Sequence, residues 1–439
     1  MKNFQIILLI VFGLFAGLAL AFFSGGIDLP QRAADSPTGG VTGSVTMWGT
    51  LPSSTLRSTI DYLNTTFGGS VTLRYIQKDP QTYEEELLNA FAFGGAPDIL
   101  LLSNSLISLY EDKIVTVPYA AFSERAFSDS YIQAADVFKN ETGILGFPVL
   151  ADPLIMFYNK SHFDSKGIST PPVYWKDLSL LVPTFTEKNE VLEIKKSGLA
   201  FGETVNVRNF KEIISALNLQ LGNPITQRDF NTAVYKSVFS NNSPISSKPA
   251  EEALKFYLEF SNPLKSNYSW NKSMPDSLQA FVAGDLSVYF GLASEIPLIQ
   301  RMNPNLNFDV AIIPQVEGSP SFVTYANVYA LAIPKTSQNF QAAYYVSGQI
   351  SNTDIASPFS IASGLTPVRR DLLKPSSAYS KYIEVAYRAA LQSKSWVIPN
   401  SKEVEKIFAS MVESNISGLK NISKSITDAS VELQTIMTR

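Results

Sequence analysis

Residues 143–178 read GILGFPVLADPLIMFYNKSHFDSKGISTPPVYWKDL. An apolar run from Phe147 to Tyr158 is interrupted by one carboxylate, Asp152, and then by the punctuation of a helix start. A carboxylate in such surroundings needs a partner, because burying an unpaired charge is costly. Its two acceptor oxygens suit a pair of sugar hydroxyls or an amine. A hinge aspartate that caps a turn, or one that pairs with Arg369, is the alternative reading.

Within this stretch, Phe147-Pro148, Asp152, Tyr158-Asn159-Lys160 and Pro171-Pro172 with Trp175 beyond it stand in a fixed order. Further along the chain come Val45-Thr46-Met47-Trp48-Gly49, Gly95-Ala96-Pro97-Asp98-Ile99, Phe281-Val282-Ala283-Gly284-Asp285 and Gly364-Leu365-Thr366-Pro367-Val368-Arg369-Arg370. In this order and spacing the motifs resemble the extracellular solute-binding proteins of family 1, the maltose-binding type that serves ABC transporters. The resemblance covers most of the chain beyond residue 44. It implies a two-lobe α/β fold of the type II periplasmic-binding-protein class, with three inter-lobe crossovers, that closes by a hinge on a small solute. The solute it implies is a sugar or oligosaccharide handed to ABC permease subunits, with no cofactor and no catalytic residue.

Composition bounds the answer independently. The chain has 439 residues, 45% of them hydrophobic and 12% aromatic, more than one ordinary core accommodates. A net charge of -4 without a basic stripe argues against nucleic acid as a partner. The absence of cysteine excludes disulfides, thiolate metal sites and a lipid-modified cysteine anchor. Phe4 to Phe23 carries no charge and would cross a bilayer as an N-terminal transmembrane helix, with Lys2 on the inner side. Ala19-Leu20-Ala21 keeps a cleaved signal segment open as the alternative. Either reading puts the body outside the cytoplasm, on the cell membrane or secreted, behind a flexible linker over 25–43.

The expected lobes are 44–150 plus about 315–372, and 151–314 plus about 373–439. In the first, short apolar runs alternate with helical patterns; Asp79 and Pro80 are expected to open one helix and Gly94-Gly95 to stop it. Ligands of such sheets sit beyond the carboxyl ends of the strands, which brings forward Thr50, Ser53, Ser54, Ser103 and Asn104. Tyr325 and Asn327 lie near the return crossover, and Trp396 lies in a loop where its ring could face the cleft. The segment after Phe281 to Asp285 lacks the Trp that maltodextrin binders of the family carry there, leaving Tyr289, Ser294 and Glu295 as candidate contacts. Asn400 with Glu403 marks a capped helix whose Val404, Ile407, Phe408, Met411 and Val412 form an apolar stripe.

One histidine, His162, in a turn expected at the surface, and the lack of a G-x-S-x-G elbow offer no catalytic constellation. A tethered sensing or adhesion module without transport, and a polysaccharide-acting enzyme, remain as alternative readings.

Overall fold

The computed structural model describes residues 40–438 other than 192, 230, 231 and 320. The apolar segment Phe4 to Phe23 and the linker after it lie outside these residues, and no helix among the described residues is long and apolar enough to cross a membrane.

Two α/β lobes share one sheet of eleven strands. Its main path runs Val71–Gln77, Gly43–Gly49, Ile99–Ser103, Thr324–Ala332, Phe147–Asn159, Leu286–Leu292, Ile194–Leu199 and Glu187–Lys188. The first two pairings are parallel, as expected where helices connect successive strands. The return strand Thr324–Ala332 then enters antiparallel to both Ile99–Ser103 and Phe147–Asn159. Phe308–Ala311, the FDVAIIP run, pairs antiparallel with the far end of Phe147–Asn159.

The long strand Phe147–Asn159 is the physical link between the lobes. Its Val149 and Leu150 pack in one face of the first lobe and Ala151 in the other, whereas Leu154 to Tyr158 belong to the core of the second lobe. Thr324–Ala332 divides in the same way: Tyr325 packs with the second lobe and Ala326, Val328 and Ala330 with the first. Every residue of 148–159 is buried, which accounts for a near-continuous apolar run instead of an alternating one.

The helix expected after Asp79 begins later, spanning Tyr83–Phe93 with Thr82 at its N-cap position. Asp79 instead closes the preceding turn, its side chain accepting from the Gln81 amide and its carbonyl from Thr82 and Tyr83. Gly94 ends the helix at φ 73°, a left-handed conformation that glycine adopts without strain. The helix Ser401–Ile416 starts as read: Asn400 caps it by accepting from the Glu403 amide, and its apolar stripe is buried. With Ile422–Met437 it packs on the second lobe.

Candidate functional site

The crossover places Asp152 directly opposite Asn327. Asp152 is buried, and Ser294 meets it twice, the amide donating to one carboxylate oxygen at 3.0 Å and the hydroxyl to the other at 2.6 Å. Burial pushes its pKa up to about 7, against the opposing effect of the two Ser294 bonds and with help from the nearby Glu295 and Glu212 charges. The pairing with Arg369 does not form, because Arg369 forks onto Asp371 at 3.0 and 2.8 Å and donates to the Ser351 carbonyl.

Glu295 is the second buried acid here. It accepts from the Tyr289 hydroxyl, from Asn209 at 2.8 Å and from the Leu292 amide at 3.1 Å, and burial raises its pKa. Tyr289 is buried beside it, its ring against Phe157 and Phe281. Gly291 is required at this spot, since a Cβ there would lie 2.6 Å from the Tyr289 ring and 3.0 Å from Glu295.

Asn104, at the end of Ile99–Ser103, is wholly consumed by the junction of the lobes. Its side-chain amide donates to the Tyr325 hydroxyl at 3.2 Å and to the Trp396 carbonyl at 3.1 Å, and its side-chain oxygen accepts from the Val328 amide. The Tyr325 hydroxyl in turn donates to Asn327 at 2.7 Å. Trp396 is 2% exposed, its indole lying parallel to Phe408 and donating to Ser215, and it adjoins a cavity between the lobes. Thr50 and Ser103 are half-buried and Ser53 is exposed, the Ser53 amide donating to Gln77 and Ser103 pairing with Ser105. The structure thus gathers Asp152, Ser294, Glu295, Tyr289, Asn327, Tyr325, Asn104 and Trp396 into buried networks at or beside the crossover. Arg369 stands apart from these networks, bonded to Asp371 and Ser351.

His162 is not the free surface side chain expected from its turn; it is half-buried, with Nδ1 2.8 Å from the Ser287 hydroxyl, and burial lowers its pKa. Among the described residues no group of His, Asp and Glu is placed to hold a metal ion.

Open space between the lobes lies elsewhere. A cavity of about 790 Å³ has one wall from the helix Tyr83–Phe93, with Gln81, Glu84, Glu85 and Leu88. The other wall carries Thr204, Val205 and Phe210, and the polar face of Ser401–Ile416. Leu88 is 59% exposed and Val205 66%, one from each lobe, so approach of the walls would cover both. Two bonds already span the gap: Asn400 donates to Glu84 at 3.0 Å, and Lys402 to the Gln81 carbonyl at 3.2 Å. None of these residues was among the sequence candidates. The signal was there, since 402, 406, 409 and 413 recur at helical spacing opposite the apolar stripe.

A second inter-lobe cavity, about 690 Å³, is lined by Tyr119, Lys139 and Glu141 on one side and Gln227, Arg228 and Tyr235 on the other. Here the hairpin Thr226–Asp229 with Val234–Ser237 reaches across, and Arg228 bonds Glu111 at 2.6 Å and Glu141 at 2.5 Å.

Comparison with known proteins agrees with this architecture. No family model matches the chain. A protein of Brucella abortus (strain 2308), named no more closely than as a binding protein, is 22% identical over 371 residues, covering 80% of this chain and 82% of that protein. Among solved structures, the cyclic α-maltosyl-1,6-maltose binding protein of Arthrobacter globiformis superposes with a TM-score of 0.72 at 14% identity, covering 90% of this chain and 99% of the other. The sugar-binding protein MalE of Xanthomonas citri gives 0.71 at 17% identity, over 90% and 98%. An ABC transporter solute-binding protein of Thermotoga lettingae bound with α-D-tagatose gives 0.66 at 17%, over 90% and 100%. The chain therefore has the two-lobe α/β fold of the ABC-transporter solute-binding proteins.

Proposed function

We propose that this protein captures a small solute, a sugar or oligosaccharide, between its lobes and presents it to an ABC permease, without altering it chemically. The observation that carries the reading is the cavity of about 790 Å³ walled by both lobes, within the size range of small-ligand sites. Exposed Leu88 and Val205 on the two walls favour closure of the lobes, which covers both side chains. The sugar-binding names of the structural neighbours support the solute class.

In this reading the lobes divide at the crossovers, near 150, 315 and 372, and direct contact falls to the cavity residues. Asp152, Ser294, Glu295, Tyr289, Asn104, Tyr325 and Asn327 act as the frame behind them, and Thr50, Ser53 and Ser103 stand at the strand ends as further contacts. The segment Phe4 to Phe23 holds the body on the outer side of the cell membrane.

A thermal-shift screen of the body with sugars, polyols, polyamines and peptides tests this. A ligand that binds only the folded state at a hundred times its Kd adds about 2.7 kcal/mol of stability. A shift confined to one class supports capture; turnover of a labelled oligosaccharide would refute it in favour of an enzyme.

A further inference from the structure

We propose that the hairpin Thr226–Asp229 with Val234–Ser237 is a latch that holds the two lobes together independently of any solute, with Arg228 as its catch. The hairpin belongs to the second lobe. Ser237 bonds Gln434 and Ser430 of the helix Ile422–Met437, and Ile225 and Phe239, just before and after the hairpin, lie in that lobe's core. Arg228 nevertheless directs both arms of its fork to the first lobe, Nε donating to Glu141 at 2.5 Å and Nη1 to Glu111 at 2.6 Å. Tyr235, opposite Arg228 in the hairpin, has its ring 4.9 Å from the guanidinium and packs against the first lobe's core.

The receiving side is tied together without help from Arg228. Asn140 donates to Glu111 at 3.0 Å, while its side-chain oxygen accepts from the Thr142 and Gly143 amides, both at 3.0 Å. The Tyr119 hydroxyl donates to the Asn140 carbonyl at 2.9 Å. Two carboxylates are thereby held within reach of one guanidinium, and their like charges repel unless it is present.

The catch is covered as well as paired. The Arg228 side chain is 11% exposed, and those of Glu111 and Glu141 are 19% and 24%, so salt and water screen the pairs weakly. Arg228 accordingly holds the Glu141 carboxyl below the usual carboxylate range. At the larger cavity the spanning contacts are single hydrogen bonds, from Asn400 and from Lys402. Removing one side of the Arg228 pairs leaves an uncompensated charge in the closed molecule, and parting the lobes returns that charge to water. Loss of either side therefore shifts the balance of the hinge toward the open form.

The test needs no solute. The chain has no cysteine, so Tyr62→Cys on the first lobe and Leu419→Cys on the second, both exposed, carry two unique spin labels. Double electron–electron resonance on the full chain then reads the distance between the lobes. With the latch intact, one dominant distance is expected. Arg228→Gln, and separately the pair Glu111→Gln with Glu141→Gln, should each add a longer distance and raise the open-to-closed ratio at least about tenfold. Thermal melts identify the folded variants, and should Arg228→Gln not fold, the glutamate pair decides alone, its amides keeping the shape of the carboxyls. An unchanged distance in a folded variant overturns the latch and leaves Arg228 a fixed strut. A protein with the latch intact that already spreads over the longer distances overturns it too. Either result leaves the solute-binding reading standing, because no solute enters the measurement.

Discussion

Replacing Asp152 by Asn should make the protein's stability less sensitive to a rise in pH from about 4 to 7, and by a calculable amount. The Asp152 carboxyl titrates near the ordinary 3.8 in the unfolded chain and at about 7 in the folded one, chiefly because burial disfavours its charge. A folded pKa raised above the unfolded value contributes stability that is fully present below the unfolded pKa and lost as pH rises through the folded one. The window is therefore about pH 4 to 7. A rise from 3.8 to about 7 corresponds to about 4 kcal/mol, at about 1.36 kcal/mol for each tenfold change in proton affinity. Asn is nearly isosteric with the protonated acid and can still accept from the Ser294 amide, so Asp152→Asn should match wild type near pH 4 and exceed it by several kcal/mol near pH 8. Urea unfolding of both proteins across this range gives the difference, in which the other titrating groups cancel. Parallel stability curves within about 1 kcal/mol, or a wild type that gains on the variant as pH rises, would refute the account of Asp152.

Asn104→Ala should lower stability by about 3 kcal/mol, because Tyr325, the Trp396 carbonyl and the Val328 amide all lose a buried partner; the urea midpoint measures it. Arg228→Gln leaves Glu111 and Glu141 facing each other and should cost about 1 to 3 kcal/mol, partly recovered in the double variant with Glu141→Gln, a coupling that a double-mutant cycle reads directly. Gly143→Ala would put a Cβ 2.0 Å from the Val117 carbonyl, so its melting temperature should fall by several degrees. Tyr289→Phe removes a donor to buried Glu295 and should cost about 1 to 3 kcal/mol by the same urea assay, more at high pH than at low, since an ionised Glu295 suffers most from the loss.

What can be read from the sequence is what neighbouring residues decide. The apolar run around Asp152, the Asn400 cap with its stripe, and the FDVAIIP strand are local patterns, and each forms. A helix start at Asp79 misses by one turn because an aspartate can serve a tight turn as readily as a helix. The partners of Asn104 and Trp396 lie hundreds of positions away, at separations of 292 and 181, so nothing beside either residue announces that its polar atom is already committed. For the same reason Arg228 looks like one more scattered charge. Cavity residues such as Glu85 and Glu405 escape notice because acidic side chains on an exposed helix face are ordinary; only the tertiary arrangement brings both to the lining of one cavity.

The strand that completes the middle of the first lobe's sheet, Thr324–Ala332, is synthesised more than two hundred residues after its neighbour Ile99–Ser103. A ribosome emitting this chain releases almost the whole second lobe before the first can close its ladder. The early half must wait with two open strand edges, which favours slow maturation and a dependence on protection from self-association until the tail arrives. Cutting the chain at the return crossover near 315 would accordingly yield not two working halves but one incomplete sheet beside a lobe without its last helices.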